Sequence, residues 1–410
     1  MRKIELLAPA GSFDKLKTAI YFGADALYMG GSNFGLRAYA DNFNNEELKE
    51  AVKYAHERDK KIYITTNIFA RNSDIKALEE FFKYLEEIKV DGVLISDLGV
   101  ISVCKKVAPS LTIHVSTQAN TTNVETVKVY KEMGVKRVVV ARELSLKEIK
   151  EIKDAIPDIE IEAFVHGAMC IAYSGRCLLS NVLTNRESNR GECVQACRWE
   201  YMIHEVSRPN NPLTIEQDDK GTYILNSRDL NMLKHLDDLY NAGVDSLKIE
   251  GRMKSNYYVA SVVNAYRRAL DSFYKNEKYT VDDVLIRELE KTSHRKYTTG
   301  FFYGRDYDEK ECLDTSYPTQ EYEFMAEVLD EKDGIVTVEM RNRFKEGDVL
   351  EILSPSDSFN KKIVIPKMIN EKGEEVVDAK LVQEKLSFRS DIKLSKGDIL
   401  RKEIKEKEQL

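Results

Sequence analysis

The chain has 410 residues, 42% of them hydrophobic and 32% charged, and a net charge of −7. That length suits two domains with sizeable cores, and the mixed, slightly acidic charge excludes a dominant non-specific grip on nucleic acid or anionic membrane, though not a local basic face. No apolar run approaches the roughly 18 residues that span a bilayer, and Met1–Ala10 reads as a strand rather than a targeting leader, so a cytoplasmic location is expected.

Short apolar, β-branched runs predict strands at Ile4–Ala8, Ala26–Gly30, Lys61–Asn67, Gly92–Ser96, Leu111–Ser116, Arg137–Ala141, Ile159–Val165 and Ser246–Ile249. Amphipathic segments lie between them. Helix starts are marked by a capping residue and an acidic first turn at Asn44-Asn-Glu-Glu, Ser73-Asp-Ile and Ser145-Leu-Lys-Glu. The phrases Phe22-Gly-Ala-Asp-Ala, Val90-Asp-Gly-Val, Met133-Gly-Val and Ala242-Gly-Val-Asp repeat one device, a helix ending near glycine and a short turn into the next strand. Eight strands alternating with helices over about 250 residues predict a (β/α)8 TIM-like barrel within residues 1–320. A doubly wound open sheet is the alternative, weakened by the lack of Gly-x-Gly-x-x-Gly after the first strand. An apolar stripe of Val259, Val262, Val263, Tyr266, Leu270 and Phe273 marks a closing helix.

Beyond about Glu321 the pattern changes. Alternating runs at Ile335–Met340, Lys362-Ile-Val-Ile and Leu386-Ser-Phe-Arg predict a small C-terminal all-β barrel over residues 321–405. Phe344-Lys-Glu-Gly-Asp-Val-Leu and Leu394-Ser-Lys-Gly-Asp-Ile-Leu read as two copies of one turn into a strand.

Barrel active sites lie at the C-terminal ends of the strands. Polar residues gather there: Thr65, Thr66 and Asn67; Asp97; Thr117 and Gln118; Arg142 and Glu143; His166; Glu250 and Arg252. Between the seventh and eighth strands lies an insertion, roughly residues 168–228, too long for an ordinary connection. It holds Cys170-x6-Cys177-x15-Cys193-x3-Cys197, four of the chain's six cysteines, interleaved with Arg176, Arg186, Arg190 and Arg198. The cytosol keeps thiols reduced, so this grouping points to a metal centre. Zinc ribbons favour two tight Cys-x2–4-Cys pairs, and only Cys193/Cys197 fits; an iron–sulfur cluster tolerates wider spacing because the cluster is itself several ångströms across. Spacing alone leaves both open. Cys104, in an apolar helix, and the isolated Cys312 read as structural.

The run Glu162-Ala-Phe-Val-His-Gly-Ala-Met-Cys-Ile-Ala-Tyr-Ser-Gly-Arg-Cys-Leu-Leu-Ser180 resembles the signature of the collagenase-like peptidase family U32. Leu6–Gly11, Gly23–Gly31 and Lys248-Ile-Glu-Gly-Arg-Met-Lys254 extend the resemblance, which covers the whole chain including the C-terminal β-domain. Asn189-Arg-Gly-Glu-Cys-Val-Gln-Ala-Cys-Arg-Trp-Glu200 resembles the branch that takes part in tRNA 5-hydroxyuridine modification. The resemblance implies prephenate-dependent, oxygen-independent hydroxylation of a wobble uridine at C5. It also implies a [4Fe–4S] cluster on Cys170, Cys177, Cys193 and Cys197, with zinc as the alternative metal.

On that reading Arg37, Arg142, Arg176 and Arg252, with Glu250 and Lys254 beside them, are candidates to bind prephenate carboxylates, since a guanidinium fork matches a carboxylate. Ordinary ion pairing with Glu143 or Glu250 is the competing expectation for each arginine. Tyr173 and Trp199 would stack an unstacked anticodon base, and Arg341, Arg343, Lys345, Lys361 and Lys362 would hold RNA. The family label supports a second reading, a peptidase in which Glu162 and His166 act as acid/base pair or hold a catalytic metal, both facing the barrel mouth because they lie four apart in a strand. A cluster-bearing RNA-binding partner of another enzyme is the third.

Overall fold

The computed structural model describes residues 1–32, 34–35, 42–169, 179–184, 186, 190, 192–196, 217–218, 221–222, 228–276, 278–304 and 319–404. Eight parallel strands form its first part: β1 (Glu5–Pro9), β2 (Ala26–Gly30), β3 (Lys61–Thr65), β4 (Gly92–Ile95), β5 (Ile113–Val115), β6 (Arg137–Val139), β7 (Glu160–Ala168) and β8 (Ser246–Ile249). Each of β1 to β7 pairs with the next, and β8 pairs with both β7 and β1, closing the ring. This is the predicted TIM-like barrel. Strands β3, β5 and β6 are shorter than their apolar runs, and β7 runs three residues further, to Ala168.

Helices α1 (Phe13–Tyr21), α2 (Asn45–His56), α3 (Ile75–Glu87), α4 (Leu98–Val107), α5 (Val124–Glu132), α6 (Leu146–Ala155), α7 (Leu236–Asn241) and α8 (Asn256–Lys275) form the outer layer. Their starts follow local chemistry. Asn44 and Glu47 make a reciprocal capping box, as do Ser145 and Glu148. At the third expected start, the chain first makes a 3-10 turn at Asn72–Asp74, and Asp74 makes no cap to α3. Its carboxylate is drawn off by Arg71 N and by the guanidinium of Arg190 from the insertion. The insertion leaves and returns at one point: the short strand Asp229–Asn231 runs antiparallel to the end of β7, pairing Asp229 with Ala168.

The barrel interior is ionic as well as apolar, whereas branched aliphatic layers are usual in this fold. Lys248 Nζ on β8 lies 2.7 Å from Glu162 on β7, and Arg137 on β6 lies 3.1 Å from Glu162 and 2.6 Å from Glu5 on β1. Tyr63 and Ser246 donate hydrogen bonds to the Glu5 carboxylate. Burial pushes the Glu5 carboxyl up, but Arg137 and these donors outweigh it and hold it below the usual carboxylate range.

The C-terminal part is an antiparallel all-β half-barrel whose strands include Tyr322–Lys332, Ile335–Met340, Val349–Leu353, Lys362–Val364, Lys385–Arg389 and Ile399–Glu403. The two look-alike phrases do make equivalent turns. Gly347 and Gly397 both have positive φ, and Asp348 and Asp398 accept from Lys345 N and Ser395 N, each at 2.8 Å. Arg401, fully buried, joins the half-barrel to the barrel part: it meets Glu288 at 2.5 and 2.6 Å, Glu351 at 2.7 Å and Asn360 at 2.8 Å. Lys291 adds a 2.5 Å contact to Glu351. Removing one member of such a pair strands buried charge. Arg401→Met is therefore expected to lower unfolding free energy by about 3–5 kcal/mol in urea titrations; a loss below about 1 kcal/mol would show that Glu288 and Glu351 do not depend on it.

Candidate active site at the barrel mouth

Several polar residues at the strand ends serve the fold. Thr65, Thr66 and Thr117 donate to the carbonyls of Met29, Leu94 and Val140 on neighbouring strands. Asp97 caps α4 by accepting from Val100 N. Asn67, Gln118, Arg142, Glu143, Glu250 and Arg252 remain as the polar groups of the mouth whose side chains do more than tie strands or helices.

Arg252 is where three separate stretches of sequence meet. It is 4% exposed, and its guanidinium donates to Asn42 Oδ1 at 2.6 Å and Thr65 Oγ1 at 3.3 Å. A Cβ on Gly30 would lie 2.5 Å from its Nη2, and one on Gly11 only 2.1 Å from its carbonyl oxygen. Those glycines are what let Arg252 sit there. Arg142 lies 3.9 Å over the Phe164 ring and donates to Glu250 Oε2 and Ala168 O, at 3.1 and 3.2 Å. The ion-pairing expectation therefore holds for Arg142 and Glu250. Lys254 donates to Ser293 O and stands over the Tyr258 ring.

Glu162 and His166 do not share a face, contrary to the four-residue spacing argument. Glu162 points into the barrel between Lys248 and Arg137. The β7–β8 register pairs Phe164 with Lys248 and then His166 with Ile249, skipping Val165. This β-bulge inverts the alternation, because one extra residue turns every later side chain to the other side. His166 packs instead among Tyr258 and Tyr266 of α8 and Tyr297, with ring centroids 5.5–6.1 Å away. Burial, opposed by Asp229, pushes its pKa down to about 3, so the imidazole is neutral near pH 7. The acid/base pair required by the peptidase reading is not assembled.

Cys104 is buried in α4, as its structural reading expects, and Cys312 lies outside the described residues; of the clustered four, Cys193 is described and exposed, with its Sγ 4.0 Å from Ser180 Oγ. Cys170, Cys177 and Cys197, together with Arg37, Tyr173, Arg176 and Trp199, lie outside the described residues. Arg190, three residues before Cys193, ties the insertion to the loop after β3: it donates to Asp74 Oδ2 and Phe69 O, both at 2.8 Å, and to Asp74 Oδ1 at 3.2 Å. These hydrogen bonds hold the Asp74 carboxyl below its usual range. Among the C-terminal cations proposed to hold RNA, Arg341 is paired with Glu327 and Glu339 and Arg343 with Asp378. The ionic core and the bulge escaped the reading of the sequence. The signal for the first was present, since Glu5, Arg137, Glu162 and Lys248 interrupt apolar strands on inward positions.

His166 carries a pH signature. Its folded pKa lies below the ordinary value of 6.5, so between those values the unfolded chain takes up protons that the folded chain refuses. Its contribution is full above 6.5 and is lost as pH falls towards 3. His166→Gln is expected to flatten the decline of unfolding free energy between pH 6.5 and 4; an unchanged slope would assign the acid sensitivity elsewhere.

The sequence profile of Peptidase family U32 matches residues 11–311, and that of the Peptidase family U32 C-terminal domain matches residues 320–401. The chain is 41% identical over 404 residues to tRNA hydroxylation protein P1 of Bacillus subtilis (strain 168), covering 98% of this chain and 95% of that protein. It is 38% identical over 415 residues to tRNA hydroxylation protein P of Escherichia coli (strain K12), covering 91% of each. A third relative, the 23S rRNA 5-hydroxycytidine C2501 synthase of the same E. coli strain, is 34% identical over 319 residues, 75% of this chain and 46% of that protein. With both profiles matched in order along one chain, and near-complete coverage by the two tRNA hydroxylation proteins, the protein belongs to peptidase family U32.

Proposed function

We propose that this protein is a tRNA-modifying hydroxylase that converts a wobble uridine to 5-hydroxyuridine. The observation that carries the reading is the full-length identity to two proteins named for tRNA hydroxylation, 41% and 38%. The rRNA relative is named for 5-hydroxycytidine, so its product bears the hydroxyl at the same pyrimidine carbon. No helix among the described residues is long and apolar enough to cross a membrane.

Three finer features belong to the proposal. The hydroxylation is oxygen-independent, it takes prephenate as hydroxyl donor, and it uses an iron–sulfur cluster held by Cys170, Cys177, Cys193 and Cys197. The donor chemistry suits that group: four thiols fall within one 28-residue stretch, and the thiol of Cys193 is exposed to a ligand. Such a cluster, when bound, supplies one-electron chemistry. Arg142 and Arg252 bring guanidinium groups to the mouth, suited to the two carboxylates of prephenate, with Arg37, Arg176, Glu250 and Lys254 completing the proposed set. Tyr173 and Trp199 would stack the unstacked base, as single-stranded RNA recognition generally requires. Help from a partner protein is compatible with this reading. A peptidase is disfavoured by the separation of Glu162 from His166.

Deleting the gene should remove wobble 5-hydroxyuridine from digested tRNA analysed by mass spectrometry. Unchanged modification, in a strain without a second family member, would refute the assignment. Protein purified without oxygen should be brown and contain iron and acid-labile sulfide, both lost in Cys170→Ser and Cys193→Ser. Colourless protein holding one zinc ion would refute the redox part. Peptide cleavage that survives both substitutions would favour the peptidase instead.

A further inference from the structure

The loops after β3, β5 and β6 hold buried polar atoms that have no hydrogen-bond partner among the described residues. Asn67, after β3, donates through Nδ2 to Ser116 Oγ at 3.0 Å, yet its Oδ1 is buried without a partner. After β5, Gln118 Oε1, Asn120 Oδ1 and Thr121 Oγ1 are in the same state, and after β6 so is Glu143 Oε2. Asn67, Gln118, Asn120 and Thr121 form one connected group, and Glu143 lies two residues beyond its last contact. Ser116 Oγ also accepts from Gln118 N at 3.4 Å, Asn120 Nδ2 donates to Gln118 O at 3.4 Å, and Ala141 N donates to Thr121 O at 3.1 Å, which joins the β5 loop to the end of β6. Asn67 is 9% exposed and Thr121 fully buried. Asn120 is also held at φ +52°, a left-handed conformation uncommon outside glycine.

A polar group buried without a partner gives up its hydration and receives no hydrogen bond in return. Proteins keep few such groups, and a cluster of them calls for an occupant. The chemistry of the occupant follows from the sign of the atoms. Four of the five are oxygen acceptors and the fifth is a hydroxyl, so the seat suits a ligand presenting N–H and O–H donors. It repels a carboxylate or phosphate. It is therefore the wrong place for a dicarboxylate co-substrate and the right place for the donor edge of a nucleoside.

We propose that the loops after β3, β5 and β6 seat the target nucleoside by its donors, with Asn67 and Gln118 sharing the base N3–H as its acceptors. The assignment rests on the tRNA reading above and adds to it the subsite and the edge that is read. Asn67 and Gln118 are the residues that distinguish a base with a free N3–H from one without. Arg142 and Arg252 are left to the anionic co-substrate.

The test uses the full-length protein and fluorescence anisotropy with two anticodon stem-loops, identical except for uridine or N3-methyluridine at the wobble position. The wild type should bind the uridine loop at least tenfold more tightly. Gln118→Met, which keeps the side-chain length and removes the acceptor, should shrink that ratio towards one while retaining the wild-type melting transition. Asn67→Ser, which shortens the side chain and withdraws its carbonyl, provides the second variant if Gln118→Met fails to fold. Equal binding of both loops by the wild type overturns the seat and leaves the tRNA reading standing. A preserved ratio in both folded variants also overturns the seat. Absence of binding to either loop overturns both.

Discussion

Glu162 is a fully buried carboxylate inside a parallel barrel, and the rest of the structure depends on how that charge is met. Lys248 reaches it from β8, and Arg137 reaches it from β6 while also gripping Glu5 on β1. Burial lowers the proton affinity of the Lys248 ammonium further than Glu162 restores it, a measure of how dry the barrel centre is. Apolar side chains tolerate small shifts in register, but these charges do not. Sliding β7 by one residue would turn Glu162 into the helix layer and leave Lys248 and Arg137 facing one another. The network therefore sets the register of β6, β7, β8 and β1 at the seam where the barrel closes, and with it the height at which each strand delivers its last residues to the mouth.

That delivery is then modified locally. The bulge at Val165 keeps Phe164 inside, beneath Arg142, and sends His166 out against Tyr258 and Tyr266. Beyond it, β7 continues far enough for Ala168 to pair with Asp229, so the long insertion is rooted at a single rung of the sheet. A second tether, Arg190 on Asp74, fastens the insertion across the mouth to the β3 side. The described ends and Arg190 of the insertion are thus held at two separate points, on β7 and on the loop after β3. The charge distribution of the mouth follows from the same strands. Guanidinium groups arrive from the loops after β6 and β8, and acceptor oxygens without partners arrive from those after β3, β5 and β6.

Much of this organisation is written locally and can be read without coordinates. Strand and helix alternation follows from hydrophobic period and from the caps at Asn44 and Ser145, whose bonds lie within four residues of sequence. At Ser73 the expected cap gives way to a 3-10 turn closed by Arg71 N on Asp74, and the long-range partner Arg190 on the same carboxylate is one that no local pattern reports. Likewise the repeated turn phrases around Gly347 and Gly397 are legible, since the bonds that make them span three residues. The convergence of Gly11, Gly30 and Thr65 on Arg252 is not, because those residues are far apart in the chain and meet only when β1, β2 and β3 stand side by side.

The sequence by itself determined the barrel with its C-terminal β-domain, the place of the insertion, the cysteine quartet and the family. All of these rest on periodicity, short-range bonds or contiguous motifs. Only the tertiary structure decided the faces of Glu162 and His166, the pairing of Arg142 with Glu250, and the identity of the unsatisfied oxygens. Those depend on a one-residue bulge and on contacts between residues tens to hundreds of positions apart, and period-two reasoning carries no information about either.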